Sequence, residues 1–170
     1  MRARFQGGFT YLVVLGAVAI LSITAGVAET LARRAKQAER ETELIFRGTA
    51  YMRAIESFHK ANGSYPRELQ DLIRDPRAAH RRHLRALYPD PMAKPGATAG
   101  WQLVQSPDGG IAGVASASKD EPLKKANFPK ALRRFEDSKS YSDWVFDYVP
   151  RLRNGLPVPG ATPTTISDAP

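Results

Sequence analysis

The sequence predicts an α+β fold in which one long N-terminal helix packs on a small antiparallel sheet. Three observations support this prediction: an uncharged apolar segment near the N-terminus, a helical pattern that continues beyond it, and later short strand patterns around a Gly-rich turn. The chain has 170 residues, which leaves room for one modest domain.

A short leader, residues 1–8 with Arg2 and Arg4, precedes a segment without charged residues from Phe9 to Ala28. As a helix with a rise of about 1.5 Å per residue, this segment would be about 30 Å long, which matches the hydrocarbon core of a bilayer. A secretory signal is cleaved after its apolar region, but here the candidate cleavage point, Gly7-Gly8, precedes it. The segment would therefore stay on the mature chain, and we predict a membrane and assembly helix over residues 9–29.

The stretch GGFTYLVVLGAVAILSI, residues 7–23, resembles the prepilin signal of type IV pilins and type II secretion pseudopilins. The resemblance implies a pilin-like fold. It also implies that the prepilin peptidase cuts between Gly8 and Phe9 and methylates the new amine of Phe9. An uncleaved signal anchor is the alternative. By the same resemblance, the first turns of the helix contact neighbouring subunits through Phe9, Thr10, Leu12, Val13, Val14 and Leu15.

Two features depart from the pattern of this family. Val13 stands where most members have a Glu, whose carboxylate is thought to pair with the N-terminal amine of a neighbouring subunit. The large pseudopilin assigned to the filament tip also lacks this Glu. The frequent helix-breaking Pro is missing too, so the chain around Glu29 is expected to stay helical.

Beyond the membrane segment, the helix is expected to continue to about Ala61, because Asn62-Gly63 and Pro66 follow. Apolar or small residues recur there at spacings of four and three, which predicts a core-facing seam between charged positions. The seam comprises Leu31, Ala35, Ala38, Thr42, Ile45, Thr49 and Met52, extended by Tyr51, Ala54, Ile55 and Phe58. Residues 54–73 also resemble the part of the major pseudopilin where the chain turns back.

Residues 67–85 are predicted to form a basic helical region that contains His80 and His83. The two histidines are three residues apart and could share a metal ion, but no third ligand stands at a suitable spacing. Nucleic-acid binding would favour interleaved aromatic residues, and only Tyr88 is near. We therefore interpret the region as a solvated basic face.

Three short strands are predicted in the second half of the chain. Trp101–Val104 and Ile111–Ser116 flank a turn at residues 106–110, in which Gly provides a positive φ. The alternating pattern of Trp144–Val149 predicts the third strand. Laid across the helix, these strands would bury Trp101, Ile111, Trp144 and Phe146.

Major pseudopilins hold calcium in a loop at the general location of residues 119–141. The candidate oxygen ligands are Asp120, Glu121, Asp137 and Asp143. Lys119, Lys124 and Lys125 oppose a cation there, so no metal or other cofactor is expected. Residues 30–153 would form a periplasmic pilin-like head, and the Pro-rich residues 154–170 a disordered tail.

The composition gives no indication of an enzyme. The chain has no Cys, which excludes disulfides and thiol catalysis, and it carries no G-x-S-x-G, H-E-x-x-H or P-loop motif. Its formal net charge of +8 comes from 25 basic and 17 acidic residues that are interspersed. The sequence thus favours a structural subunit over a catalyst.

The resemblance implies a subunit of a type II secretion pseudopilus, or of a related type IV filament, that acts mechanically in protein export. Its partners would be other pilin or pseudopilin subunits, the prepilin peptidase and the inner-membrane assembly platform, with nucleic acid not expected. It would cross the bacterial inner membrane once, with its N-terminus cytoplasmic and its head in the periplasm. A minor type IV pilin that binds DNA or surfaces, and a membrane-anchored enzyme, are the alternatives.

Overall fold

A computed structural model describes residues 7–78, 80–93, 100–151, 157 and 165–167; the side chains of residues 7–9, 23–27 and 165–167 lie outside this description. The chain divides into two compact units, residues 1–39 and 40–170. The boundary between them follows Glu39, whereas the head was predicted to begin at residue 30.

A single helix, α1, extends from Gly7 to Asn62 without interruption, which confirms the predicted long helix and its predicted end. The absence of Pro within it allows every turn to keep its backbone hydrogen bonds. Gly63 ends the helix: its φ is +69°, and its N–H donates to the carbonyl oxygen of His59 at 2.8 Å.

The sheet consists of β1 (Gln102–Gln105), β2 (Ile111–Ala115), β3 (Phe146–Asp147) and β4 (Thr165–Ser167) in the order β3-β2-β1-β4. All neighbouring strands are antiparallel. The fold is thus α+β, with a long helix packed on a small antiparallel sheet, as predicted. Short 3-10 helices span Leu69–Leu72, Lys130–Phe135 and Tyr141–Asp143. The helix predicted over residues 67–85 is therefore wrong: among its described residues only Leu69–Leu72 is helical, and Pro76 cannot donate a helical hydrogen bond.

The predicted turn between β1 and β2 is confirmed. Gly109 has a φ of +80°, and its N–H donates to the Ser106 carbonyl at 2.9 Å. The Ser106 N–H in turn donates to the Gly110 carbonyl at 2.7 Å. The register shifts between Val104, which pairs with Gly113, and Gln105, which pairs with Ile111, so Ala112 is an extra residue within β2.

Two parts of the sheet differ from the prediction. The strand expected over Trp144–Val149 is formed only by Phe146–Asp147, because the 3-10 helix at Tyr141–Asp143 occupies the chain just before Trp144. The Asp143 carboxylate fixes this helix by accepting the N–H groups of Lys139 and Ser140 at 3.2 and 3.0 Å.

The second difference is β4, which lies in the tail 154–170 that was predicted to be disordered. Thr165–Ser167 pairs with β1 along the edge opposite β2. Apart from Pro157, which bridges to Arg151, the other residues of this tail lie outside the described part of the chain.

The buried face of α1 is rotated from the predicted seam by one residue. Within the second unit, Thr42 is exposed, and Ile45, Thr49 and Met52 are only half-buried. Successive helix positions are about 100° apart, so a one-residue offset turns the seam well away from the core. The buried positions are instead Glu41, Leu44, Gly48, Tyr51, Ala54, Ile55 and Phe58, of which the last four were predicted.

The core between α1 and the sheet is aromatic. Trp101, Ile111, Trp144 and Phe146 are all buried, as predicted. The indole of Trp144 stacks on Phe135 with a ring-centroid distance of 5.5 Å and an interplanar angle of 4°. Both rings belong to the segment between β2 and β3, which is joined to α1 by hydrogen bonds from Leu123, Lys124 and Tyr141 to Glu41.

Candidate functional site

The first unit presents an apolar surface on α1. Its described large apolar side chains are all exposed, from Leu15 at 48% to Leu12 at 68%. Residues 11–15 are consecutive and therefore point to all sides of the helix. A helix that is apolar on all sides requires an apolar environment. The exposed residues are Tyr11, Leu12, Val13, Val14, Leu15, Val18, Ile20, Leu21 and Leu31.

The predicted processing residues, Gly8 and Phe9, lie in the first turn of α1, with side chains outside the described set. The predicted assembly residues after Phe9 follow on the same helix and are exposed; they are Thr10, Leu12, Val13, Val14 and Leu15. Across the helices that the structure describes with their side chains, none is long and apolar enough to cross a membrane. The predicted membrane segment includes residues 9 and 23–27, whose side chains are not described.

Val13 is one of the exposed apolar positions, at 54%. Its isopropyl group offers neither charge nor hydrogen bond at the position where the resembling family usually has a carboxylate. Whatever packs against this turn of α1 must therefore bind through apolar contact.

A buried carboxylate lies where the basic region meets the end of α1. Asp75 accepts hydrogen bonds from Asn62 Nδ2 at 2.9 Å, from the Arg77 N–H at 2.9 Å and from His83 Nε2 at 3.3 Å. The hydrogen bond from Asn62, together with those from Arg77 and His83, lowers the pKa of Asp75 to about 2. Asp75 is therefore ionised at neutral pH although its side chain is fully buried.

His83 connects this carboxylate to α1. Because the ionised Asp75 can only accept, the Nε2 atom of His83 carries a proton, and its Nδ1 lies 2.8 Å from Ser57 Oγ. The ring also packs edge-on against Phe58, with centroids 5.4 Å apart. The chain Ser57–His83–Asp75 thus fastens the loop after Leu72 to the last turns of the helix.

A serine, a histidine and a carboxylate in this order also form the catalytic triad of many hydrolases. The network could therefore be catalytic or purely structural. Acyl transfer also requires hydrogen-bond donors for the oxyanion. Ser57 lies within α1, where the surrounding backbone N–H groups bond to the preceding turn. The depression beside it is shallow and is lined by Arg53, Glu56, Ser57, Lys60 and Ala61. The geometry therefore fits a structural fastening better than an acyl-transfer centre.

The two histidines considered as a metal pair do not act together. The His83 side chain is turned inward to Asp75 and Ser57, whereas His80 is exposed. The sequence pattern did not indicate the role of Asp75. The signal available was that Asp75 is the only acidic residue between Arg74 and Arg85.

The candidate calcium ligands have separate roles in the structure. Asp120 accepts from Ser118 Oγ at 3.1 Å, Glu121 pairs with Lys125 at 2.8 Å, and Asp143 caps its 3-10 helix. The hydrogen bond from Lys125 lowers the pKa of Glu121. Asp137 adopts a φ of +59° in an exposed turn. Within the described residues, no three His, Asp or Glu side chains are grouped so that they could hold a metal ion.

A second buried carboxylate belongs to Glu41, which the sequence pattern assigned to the charged face of α1. Glu41 accepts the N–H groups of Leu123 at 2.8 Å and Lys124 at 3.1 Å, and the hydroxyl of Tyr141 at 2.9 Å. It thus joins the helix to two segments about 80 to 100 positions later in the chain. No local pattern could have indicated this role.

Comparisons of the chain with protein-family models, with curated proteins and with solved structures found no match.

Proposed function

We propose that the chain is a pilin-like structural subunit of a type II secretion pseudopilus or a related type IV filament. The observation that carries the proposal is the exposed apolar surface of α1 at residues 11–21, directly after the Gly-Gly-Phe sequence. Such a surface is stable only in lipid or against other apolar helices. A subunit that moves from a membrane into a helical filament meets both environments in turn.

In this proposal the chain has no catalytic role. The prepilin peptidase removes residues 1–8 and methylates Phe9, the apolar helix holds the subunit in the inner membrane, and the second unit lies in the periplasm. Assembly then buries the apolar surface against neighbouring subunits, and the growing filament acts mechanically in protein export. Val13 makes this subunit suited to a filament end or a minor position, because it offers no carboxylate to a neighbour's amine.

Intact-mass spectrometry of the protein from cells with an active prepilin peptidase tests the processing step. We expect a mass that corresponds to loss of residues 1–8 and addition of one methyl group. Gly8→Ala should block the cleavage, and Gly16→Ala, farther along the same helix with open space around it, should leave it unchanged. Retention of Met1 in the wild type would show that the apolar segment is an uncleaved anchor.

Assembly is tested separately, by expressing the protein with the peptidase and the assembly platform but without other pilins. Because burying an unpaired amine in an apolar environment is costly, we expect few filaments, and incorporation once Glu-bearing subunits are coexpressed. Abundant homopolymers in sheared fractions, seen by electron microscopy, would instead make this the main subunit despite Val13.

A further inference from the structure

We infer that residues 74–78 and 80–85, hereafter the basic loop, form a docking surface for the phosphate backbone of double-stranded DNA. This goes beyond the proposed function, which requires no nucleic acid. The loop carries five arginines and no lysine, and all five are exposed. They are Arg74, Arg77, Arg81, Arg82 and Arg85.

The acid within the basic loop does not oppose its surface charge, and the neighbouring acids Glu68, Asp71 and Asp108 share a depression with only one of the five arginines, Arg77. The single acidic residue of the loop, Asp75, is buried and directed at Asn62, His83 and the Arg77 N–H. Among the residues that the structure describes, none forms an ion pair with any of the five arginines; Arg77 donates to the Asn62 carbonyl. The sequence favoured a solvated face, but it could not show that the acid is withdrawn from the surface.

The backbone of the basic loop is fixed in place. The N–H groups of His83 and Leu84 donate to the Leu72 carbonyl at 2.9 and 2.8 Å, and the Arg81 N–H donates to the Ala78 carbonyl at 2.7 Å. The side chain of His83 adds its bonds to Asp75 and Ser57. Because the backbone is already fixed, binding would lose less conformational entropy there. The Cα positions of the arginines are therefore set before a partner binds.

The neighbouring turns of α1 extend the basic surface. Ser57, which bonds to His83, shares a shallow depression with Arg53 and Lys60. Lys60 is paired with Glu56 at 2.6 Å, whereas Arg53 has no ion-pair partner among the described residues. Arg53 therefore adds another cation beside the loop.

The side chains favour a phosphate backbone over other anionic partners. Leu84 is buried and Leu87 only marginally exposed, so the surface lacks the apolar or aromatic anchors on which protein interfaces depend. Tyr88 is half-buried, and its ring contacts Tyr51 edge-on and the Arg47 guanidinium, so it does not offer a free aromatic platform for unpaired bases. A guanidinium group can donate two parallel hydrogen bonds to the oxygens of one phosphate group. Duplex DNA carries about one negative charge per 1.7 Å of its helix axis, so it offers several phosphates to a cluster of arginines.

The experiment uses the full-length protein in a non-ionic detergent and a fluorescein-labelled duplex of about 30 base pairs, with anisotropy measured between about 50 and 200 mM NaCl. The test variant is Arg81→Gln/Arg82→Gln/Arg85→Gln, which spares Arg77 and its bond to Asn62. The matched control, Lys130→Gln/Arg133→Gln/Lys139→Gln, removes the same charge from exposed positions in the same unit. Melting curves followed by circular dichroism establish that both variants are folded.

We expect the test variant to bind the duplex roughly tenfold more weakly. The log–log slope of its salt dependence should fall by about 0.9 for each phosphate group that the variant no longer neutralises. The control should change binding by less than about twofold. An equal weakening in both variants would overturn the proposal, and so would a wild-type protein that does not bind.

Three competitors identify the partner class. Tighter binding to a single strand, to poly-L-glutamate or to phosphatidylglycerol vesicles than to the duplex would overturn the assignment to duplex phosphates. The anisotropy experiment tests DNA binding only, whereas the intact mass of the mature chain tests the proposed processing only. A failure of one proposal can therefore be distinguished from a failure of the other.

Discussion

The ring of Phe146 in β3 lies directly against Gly48 of α1: a Cβ atom at residue 48 would overlap the Phe146 ring. Both residues belong to the second unit, and Phe146 is completely buried. The absence of a side chain at Gly48 therefore determines how closely the sheet approaches the helix. A Gly in a helix interior costs about 0.5–1 kcal/mol relative to Ala, so its presence here has a packing reason.

Gly48→Ala should lower the free energy of unfolding by about 1–3 kcal/mol, because Phe146 would be forced from its position in a packed core. Urea unfolding of a fragment of residues 30–170 measures this. The fragment keeps the second unit whole and should be a soluble monomer, since it lacks the exposed apolar residues 11–21. Gly100→Ala, with open space around it, is the control and should be neutral or slightly stabilising. A stabilised Gly48→Ala variant would contradict the close approach of helix and sheet.

Glu41→Gln should lower the free energy of unfolding of the same fragment by about 1–3 kcal/mol. The carboxylate accepts from Leu123, Lys124 and Tyr141, and an amide would place a donor against these donors. Glu43→Gln is the matched control, because Glu43 is on the same helix but pairs with Arg47 at a partly exposed site. Equal effects of the two substitutions would mean that the buried carboxylate contributes nothing specific.

Asp75→Asn should make the protein less stable at pH 7 by about 1–3 kcal/mol, because the introduced amide would present a donor to Asn62 and His83. The folded-state pKa of Asp75, about 2, lies below its ordinary value of 3.8. The folded state therefore favours the ionised form, and this stabilisation is complete above about pH 4 and is lost as the pH falls toward 2.

Urea unfolding at several values between pH 7 and pH 2 checks this dependence. The difference in stability between wild type and Asp75→Asn should shrink as the pH falls below 4. Glu136→Gln, at an exposed carboxyl, serves as the control. A difference that stays constant down to pH 2 would be inconsistent with a lowered pKa of Asp75.

Trp144→Ala should lower the free energy of unfolding by about 3–5 kcal/mol, because Trp144 is fully buried between Phe135, Phe128 and Tyr141. Thermal unfolding followed by near-ultraviolet circular dichroism gives the measurement. Leu87→Ala, at a marginally exposed site, should change the melting temperature little. An unchanged melting temperature for Trp144→Ala would place the indole outside the core.

Local patterns in the sequence determined the elements whose physics is local. The uninterrupted α1 follows from the absence of Pro, its end from Asn62-Gly63, and the β1–β2 hairpin from the glycines of its turn. Large aromatic residues such as Trp144 and Phe146 were correctly assigned to the core, because their apolar area must be buried wherever the chain places it.

The tertiary structure decided which face of the helix is buried. A pattern that places charge outside could not anticipate Glu41, because its stabilising donors at Leu123, Lys124 and Tyr141 are far away in sequence. The same reason applies to the Ser57–His83–Asp75 network and to the pairing of β4 with β1. A buried polar group is stable only with partners, and only the folded chain brings those partners together.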